Sequence, residues 1–329
     1  MNNERPFAFE FLLMNVVFLG SGQFGLACLD AVARSRHNLP LVVTQPSHAA
    51  GRGRKPRPTP AAQWASGHSI AYFETEDVNA SEVIDKIRET EPDLIVVIAF
   101  GQKIGRHMIG LPAKGAINVH ASLLPKYRGA APINWAIING EKETGISIIT
   151  LSEKMDAGHI LAQQSSQILP DETAGQLHDR LAEMATPLLI KTIDQIEAGT
   201  ATSREQDHRR ATLAPKLKKT DGYVDFSEPA ETLARKIRGF WPWPGAAAMY
   251  VSRQSQKSLR VTLARAEVVQ AGTSTDLAPG TLDDELNVIC GRDALRLEEL
   301  KPAGGRLMKF ADFVNGWHVQ PGDFFARIE

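Results

Sequence analysis

In the first half of the chain, apolar residues cluster in short runs: VVFL at 16–19, LVV at 41–43, SIAYF at 69–73, DLIVVIA at 93–99 and AINV at 116–119. Runs of this length, bounded by polar and turn residues, predict strands buried on both faces of a sheet. Between them Leu26, Leu29 and Ala33, then Val83, Ile84 and Ile87, recur at helical spacing. Strand and helix therefore alternate, which predicts a Rossmann-like, doubly wound α/β domain with a largely parallel sheet. GISIITL at 145–151 and HILAQQSSQIL at 159–169 read as two further strands of that sheet.

The pattern changes twice more along the chain. Thr173 followed by Gln176 forms a capping box ahead of an apolar stripe of Leu177, Leu181, Met184, Leu188 and Ile193, with Gly199 as a stop signal. The run TATSREQDHRR is polar but for Ala201 and reads as a connection. Beyond it lie one short helical pattern, ETLARKIRGF, and several strand-like pieces broken by Gly and Pro. Those pieces predict a smaller C-terminal β-barrel of OB-like type. The expected division is an N-terminal extension at 1–13, an α/β domain at 14–199, a linker at 200–215 and the β-rich domain at 216–329. Met14 directly precedes the first strand, so translation is expected to start there, with the preceding residues an appendage.

Composition narrows the class without naming the chemistry. With 329 residues, two domains are expected. The 43% hydrophobic and 23% charged content fits a soluble cytoplasmic protein with no membrane association, and a monomer is the expected state. The two cysteines, Cys28 and Cys290, offer neither a disulfide framework nor a metal cluster, so no metal is expected. A net charge of −1 argues against broad coating of nucleic acid. Any phosphate-binding field must be local, and the basic clusters at 52–57 and 216–219 are candidates.

Gly20, Gly22 and Gly25 spell G-x-G-x-x-G after the first strand, the setting of a dinucleotide fingerprint. The second strand, however, ends in Thr44 and Gln45, with no acidic residue for an adenosine ribose. NAD is disfavoured. NADP remains an alternative through Arg52 or Arg54, and a plain tight turn accounts for the glycines equally.

Asn118 and His120 stand two residues apart at the end of a strand, so alternation points both to one side of the sheet at its carboxyl edge. Ser122, Leu123, Leu124 and Pro125 follow, and Asp156 lies in a turn between two later strands. An amide and an imidazole N–H can stabilise a developing oxyanion, while a carboxylate beside the imidazole orients it and draws a proton. That set suits transfer of an acyl group between nitrogens without a metal.

These residues also carry a resemblance. The run NVHASLLP at 118–125, RGAAP at 128–132, ETG at 143–145 and DAG at 156–158 is similar to the formyltetrahydrofolate-dependent formyltransferases. The resemblance implies the formyltransferase fold, 10-formyltetrahydrofolate as co-substrate, Asn118, His120 and Asp156 as the catalytic trio, and folate contacts from Ser122, Leu123, Leu124 and Pro125.

Within the family the chain looks most like the members that formylate methionyl initiator tRNA. Arg52, Arg54, Lys55 and Arg57, stiffened by prolines at 56, 58 and 60, resemble a basic loop held against the acceptor arm. Lys216, Lys218 and Lys219 at the entrance to the β-rich domain are further expected tRNA contacts. Trp241 and Trp243, beside Phe240, offer bases a stacking surface but read first as packing residues. Three other readings stay open: a formyltransferase for an amino sugar nucleotide, an NADP-dependent oxidoreductase, and a noncatalytic RNA-binding module.

Overall fold

The computed structural model describes residues 13–50, 55–270 and 277–329. The chain divides into two compact units. The first takes the chain up to Gly129, Gly145–Ser165 and Asp179–Leu213; the second takes Ala130–Thr144, Ser166–His178 and Ala214–Glu329.

The first unit is built on a seven-stranded sheet. In chain order come β1 (Val16–Gly20), α1 (Leu26–Arg34) and β2 (Val42–Thr44), then the antiparallel hairpin β3 (His48–Ala50) and β4 (Lys55–Arg57). Next are α2 (Pro60–Gly67), β5 (Tyr72–Glu74), α3 (Ser81–Arg88), β6 (Leu94–Ile98), α4 (Arg106–Ile109), β7 (Ala116–His120) and the two-residue β8 (Arg128–Gly129). After α5 (Pro132–Ile138), which belongs to the second unit, come β9 (Glu143–Thr150), β10 (Ile160–Gln167), α6 (Ala174–Glu197) and the short β11 (Leu213–Ala214).

The sheet order is β10-β9-β7-β6-β1-β2-β5. Its β7-β6-β1-β2-β5 portion is parallel, and β9 runs antiparallel to β7. Every residue of β1 and β6 is buried, as the unbroken apolar runs require. Val17, Leu19, Val43, Ile95 and Val97 on one face pack against Val83, Ile84 and Ile87 of α3.

The glycine loop has a packing explanation. A Cβ on Gly20 would lie 2.4 Å from the Phe18 ring and 2.8 Å from the Ile98 carbonyl oxygen, so the backbone there touches β6 directly. The Ser21 hydroxyl accepts from the Gln45 N–H at 3.0 Å and the Thr44 hydroxyl at 3.1 Å, tying the loop to the end of β2.

At the start of α6 the expected capping box forms. The Gln176 N–H donates to Thr173 Oγ1 at 3.3 Å and the Thr173 N–H to Gln176 Oε1 at 3.0 Å. Gly199 follows the helix at a φ of +67°. Among the described residues no helix is long and apolar enough to cross a membrane.

In the second unit, α7 (Ala230–Phe240) precedes a near-barrel of antiparallel strands: β12 (Ala246–Val251), β13 (Ser258–Val269), β14 (Val288–Ile289), β15 (Ala294–Pro302), β16 (Met308–Lys309), then α8 (Phe310–Trp317) and β17 (Phe324–Ala326). Leu233 and Ile237 of α7 close its core against Tyr250, Val261, Leu263, Leu297 and Phe325. Phe240 joins a separate cluster with Ala131, Ile138 and Leu217, whereas Trp243 is 55% exposed. The packing expected of the aromatic stretch thus holds for Phe240 and fails for Trp243.

Asp323, almost fully buried, is satisfied by the Tyr250 hydroxyl at 2.6 Å and the N–H groups of Arg253 and Gln320. Burial, reinforced by the Asp323 charge, pushes the Tyr250 phenol above its ordinary pKa of about 10. A raised folded-state pKa contributes stability that is complete below the unfolded value and is lost as pH climbs through the folded one. Denaturant titrations should therefore find the second unit weakening above about pH 10. Tyr250→Phe should flatten that decline and cost about 1–3 kcal/mol at neutral pH, since Asp323 loses a donor.

Candidate functional site

β7 carries the first two site residues because a strand points alternate side chains to one face. Asn118 pairs in register with Ile149 of β9 and with Val97 of β6, and His120 with Ser147 of β9. Asn118 is half-buried and His120 buried. The third residue, Asp156, reaches them from the connection between β9 and β10. Gly158 makes that connection possible: a Cβ there would sit 1.7 Å from the Thr150 carbonyl oxygen. Asp156 itself has a φ of +51°, a left-handed backbone that a residue with a Cβ adopts only when held.

The three predicted residues come together. Asp156 Oδ2 lies 3.6 Å from His120 Nδ1, and Oδ1 lies 3.5 Å from Asn118 Nδ2. The Gly129 N–H donates to Oδ2 at 2.8 Å, anchoring the carboxylate from β8. On the far side of the ring, His120 Nε2 is 2.8 Å from the Tyr127 carbonyl oxygen. Both ring nitrogens thus face acceptor oxygens.

The 122–125 segment is organised around Ser147, a buried hydroxyl among the isoleucines of β9. Ser147 Oγ donates to the Ser122 carbonyl at 2.6 Å and accepts the Leu124 N–H at 3.0 Å and Gln163 Nε2 at 2.8 Å. Gln163 also donates to the Leu124 carbonyl, and Arg204 donates to Gln163 Oε1 at 2.6 Å. The Ser122 hydroxyl is buried and donates to the Lys126 carbonyl at 2.7 Å; Leu124 is buried against Ile149 and Ile160. Leu123 and Pro125 are therefore the half-exposed side chains of the segment. Ser147, Gln163 and Gln206 were not singled out in the sequence, where the one signal was that Ser147 interrupts the run of Ile146, Ile148 and Ile149.

Arg128 is half-buried, with its guanidinium on Gln206 and His208. Burial lowers its pKa below the usual guanidinium range and the Asp156 charge opposes that shift. Of the expected tRNA contacts, Arg52 and Arg54 lie outside the described residues, Lys55 opens β4, and Arg57 ends it with its side chain exposed. Lys216, Lys218 and Lys219 are exposed on either side of buried Leu217. Among the described residues no three His, Cys, Asp or Glu side chains gather as a metal site would need.

Comparison with known proteins bears on the whole chain. The formyl transferase family model matches residues 14–193, and the formyl transferase C-terminal domain model matches 216–318. The methionyl-tRNA formyltransferase of Geobacter metallireducens is 39% identical over 310 residues, covering 94% of this chain and 97% of its own. That of Agathobacter rectalis is 37% identical over 317 residues, covering 95% and 100%.

Among solved structures, HypX from Aquifex aeolicus in complex with tetrahydrofolic acid superposes with a TM-score of 0.62 at 16% identity, over 92% of this chain. This chain spans about half of HypX, 47% of its length. The sugar 3N-formyl transferase WlaRD, in the presence of dTDP and 5-N-formyl-THF, gives a TM-score of 0.60 at 13% identity, covering 86% and 96%. At such identities the likeness is one of fold.

The close approach at Gly158 has a direct consequence. Gly158→Ala forces its turn away from Thr150 and should destabilise the protein by about 1–3 kcal/mol, the usual range for overpacking. Thermal unfolding of the variant checks this, and an unchanged melting temperature means the turn has room to shift.

Proposed function

Because the chain belongs to the formyl transferase family, we propose that it moves a formyl group from 10-formyltetrahydrofolate to the α-amine of methionyl initiator tRNA. The observation that carries the chemistry is the convergence of Asn118, His120 and Asp156 at the carboxyl edge of the sheet. The observation that favours this acceptor is identity of 37–39% to methionyl-tRNA formyltransferases across both matched regions, against 13% to a sugar enzyme of like fold.

The residues present fit a folate co-substrate. Leu123 and Pro125 offer half-exposed apolar surface beside the trio, on a loop whose backbone is fixed by Ser147 and Gln163. When bound, the co-substrate supplies an activated formyl carbon on N10. In the reaction the amine nitrogen bonds to that carbon, the bond from N10 breaks, and one proton passes from the amine to N10. Asn118 donates its amide hydrogen to the formyl oxygen as that oxygen gains negative charge. His120 stands beside the same charge with its ring held between Asp156 and the Tyr127 carbonyl. Asp156 keeps the ring oriented and draws the proton from the amine. Arg52, Arg54, Lys55 and Arg57, with Lys216, Lys218 and Lys219, track the tRNA backbone as point charges.

The decisive assay offers the formyl donor together with charged initiator tRNA, charged elongator tRNA or an amino sugar nucleotide. Formyl should appear on initiator methionyl-tRNA; selective labelling of the sugar would overturn the acceptor reading. His120→Ala and Asp156→Asn should each lower turnover by about 100-fold or more with the fold intact. Neutralising the four cations at 52–57 should weaken tRNA binding and flatten its salt dependence by roughly 0.7–0.9 in log–log slope for each phosphate no longer neutralised.

A further inference from the structure

We propose that Gln206 is a positioning residue for the catalytic carboxylate, an assignment that rests on the reading of Asp156 as catalytic. Gln206 sits in the polar run that the sequence presents as a linker. From 202 to 210 every residue is exposed except Gln206, which is 3% exposed. A buried primary amide must find partners for both its ends, and this one does.

Its Nε2 donates to the Asp156 carbonyl at 2.8 Å and the Gly158 carbonyl at 2.7 Å. Its Oε1 accepts from Arg128 Nε at 3.2 Å and Nη2 at 2.7 Å. The surroundings fix which end is which. Two carbonyls only accept and a guanidinium only donates, so the flipped amide would oppose every partner.

The contacts close a ring around the carboxylate. Gln206 holds the backbone of the Asp156 turn; Gln206 also holds Arg128; the residue after Arg128, Gly129, gives its N–H to Asp156 Oδ2. The side chain therefore restrains Asp156 from its own carbonyl and from the strand that anchors its oxygen. That restraint acts where Asp156 takes the left-handed backbone that aims its carboxylate at His120. Backbone links fasten the strap itself. Arg204 and Ile160 exchange N–H to carbonyl bonds at 2.9 and 2.8 Å, and the Arg128 N–H donates to the Thr212 carbonyl at 2.9 Å. Residues 204–212 thus belong to the wall of the site.

The two arms of the amide can be separated. Gln206→Glu keeps acceptors for Arg128 and removes both donors to the Asp156 turn; Gln206→Ala removes everything. Formyl transfer kinetics should give a kcat lower by ~10- to 100-fold for both variants, the cost of a misplacement of up to about an ångström. KM for donor and for tRNA should stay within about twofold; the melting temperature should fall by a few degrees, leaving both variants folded at the assay temperature. A second readout needs no activity: native-state trypsin cleavage after Lys154, exposed two residues before Asp156, should accelerate in both variants.

Parental kcat together with parental cleavage in Gln206→Glu would overturn the assignment. So would a fall in kcat matched by general unfolding in both variants, which would make the residue merely structural. If the parent itself transfers no formyl group, the functional reading fails, while the Lys154 cleavage still reports whether Gln206 holds the turn.

Discussion

The carboxylate of Asp156 is the point on which the site hangs, because it faces His120 from a segment that is neither helix nor strand. A loop carboxylate would ordinarily sample solvent, and ordering it opposes conformational entropy. Here the order is distributed over several parts of the first unit. Gly158 lets the turn close on β9, the Gly129 N–H grips Oδ2, and Gln206 holds the carbonyls on either side of Ala157. The imidazole is fixed in turn by the carbonyl of Tyr127, itself at a φ of +61°. Two left-handed residues in one site mark a place where backbone preference has been overridden by surrounding contacts.

That arrangement explains how a common α/β framework supports this chemistry. The strands β6, β7 and β9 supply rigidity, placing Asn118 and His120 by register alone. The 122–125 loop gains its shape from Ser147 beneath it, whose hydroxyl meets three partners and has no capacity left. The buried polar network is complete, so it fixes one geometry instead of permitting several. The proposed acceptor contacts lie elsewhere in the chain, in basic clusters whose net contribution is hidden by an overall charge of −1. The fold is shared with the sugar 3N-formyl transferase WlaRD, so fold alone does not name the acceptor.

Much of this was legible in the sequence, and for local reasons. The apolar runs at 16–19, 93–99 and 116–119 became buried strands, and Thr173 with Gln176 capped the helix they announced. Period and cap chemistry are properties of neighbouring residues, which is why they can be read. Asn118 and His120 share that advantage, and Asp156 was added as a loop carboxylate whose role the family resemblance then named. What stayed hidden depends on long-range contact. Gln206 lies 50 residues from Asp156 and 78 from Arg128, in a run whose composition resembles any exposed connection. The glycine loop is a separate case: its spacing matches a nucleotide fingerprint, the lack of an acidic residue after β2 argued for a plain turn, and Gly20 is required by contact with Phe18 and Ile98. Burial of the Ser122 and Leu124 side chains was likewise invisible, since a loop has no period from which to assign faces.

The central claim is that His120 and Asp156 act as one device, and a double-mutant cycle on single-turnover formyl transfer tests it most directly. If they act together, His120→Ala combined with Asp156→Asn will be about as slow as the slower single variant, because either change alone already disables the pair. If the two effects multiply instead, the residues contribute independently, and the account of the site built on their contact is contradicted.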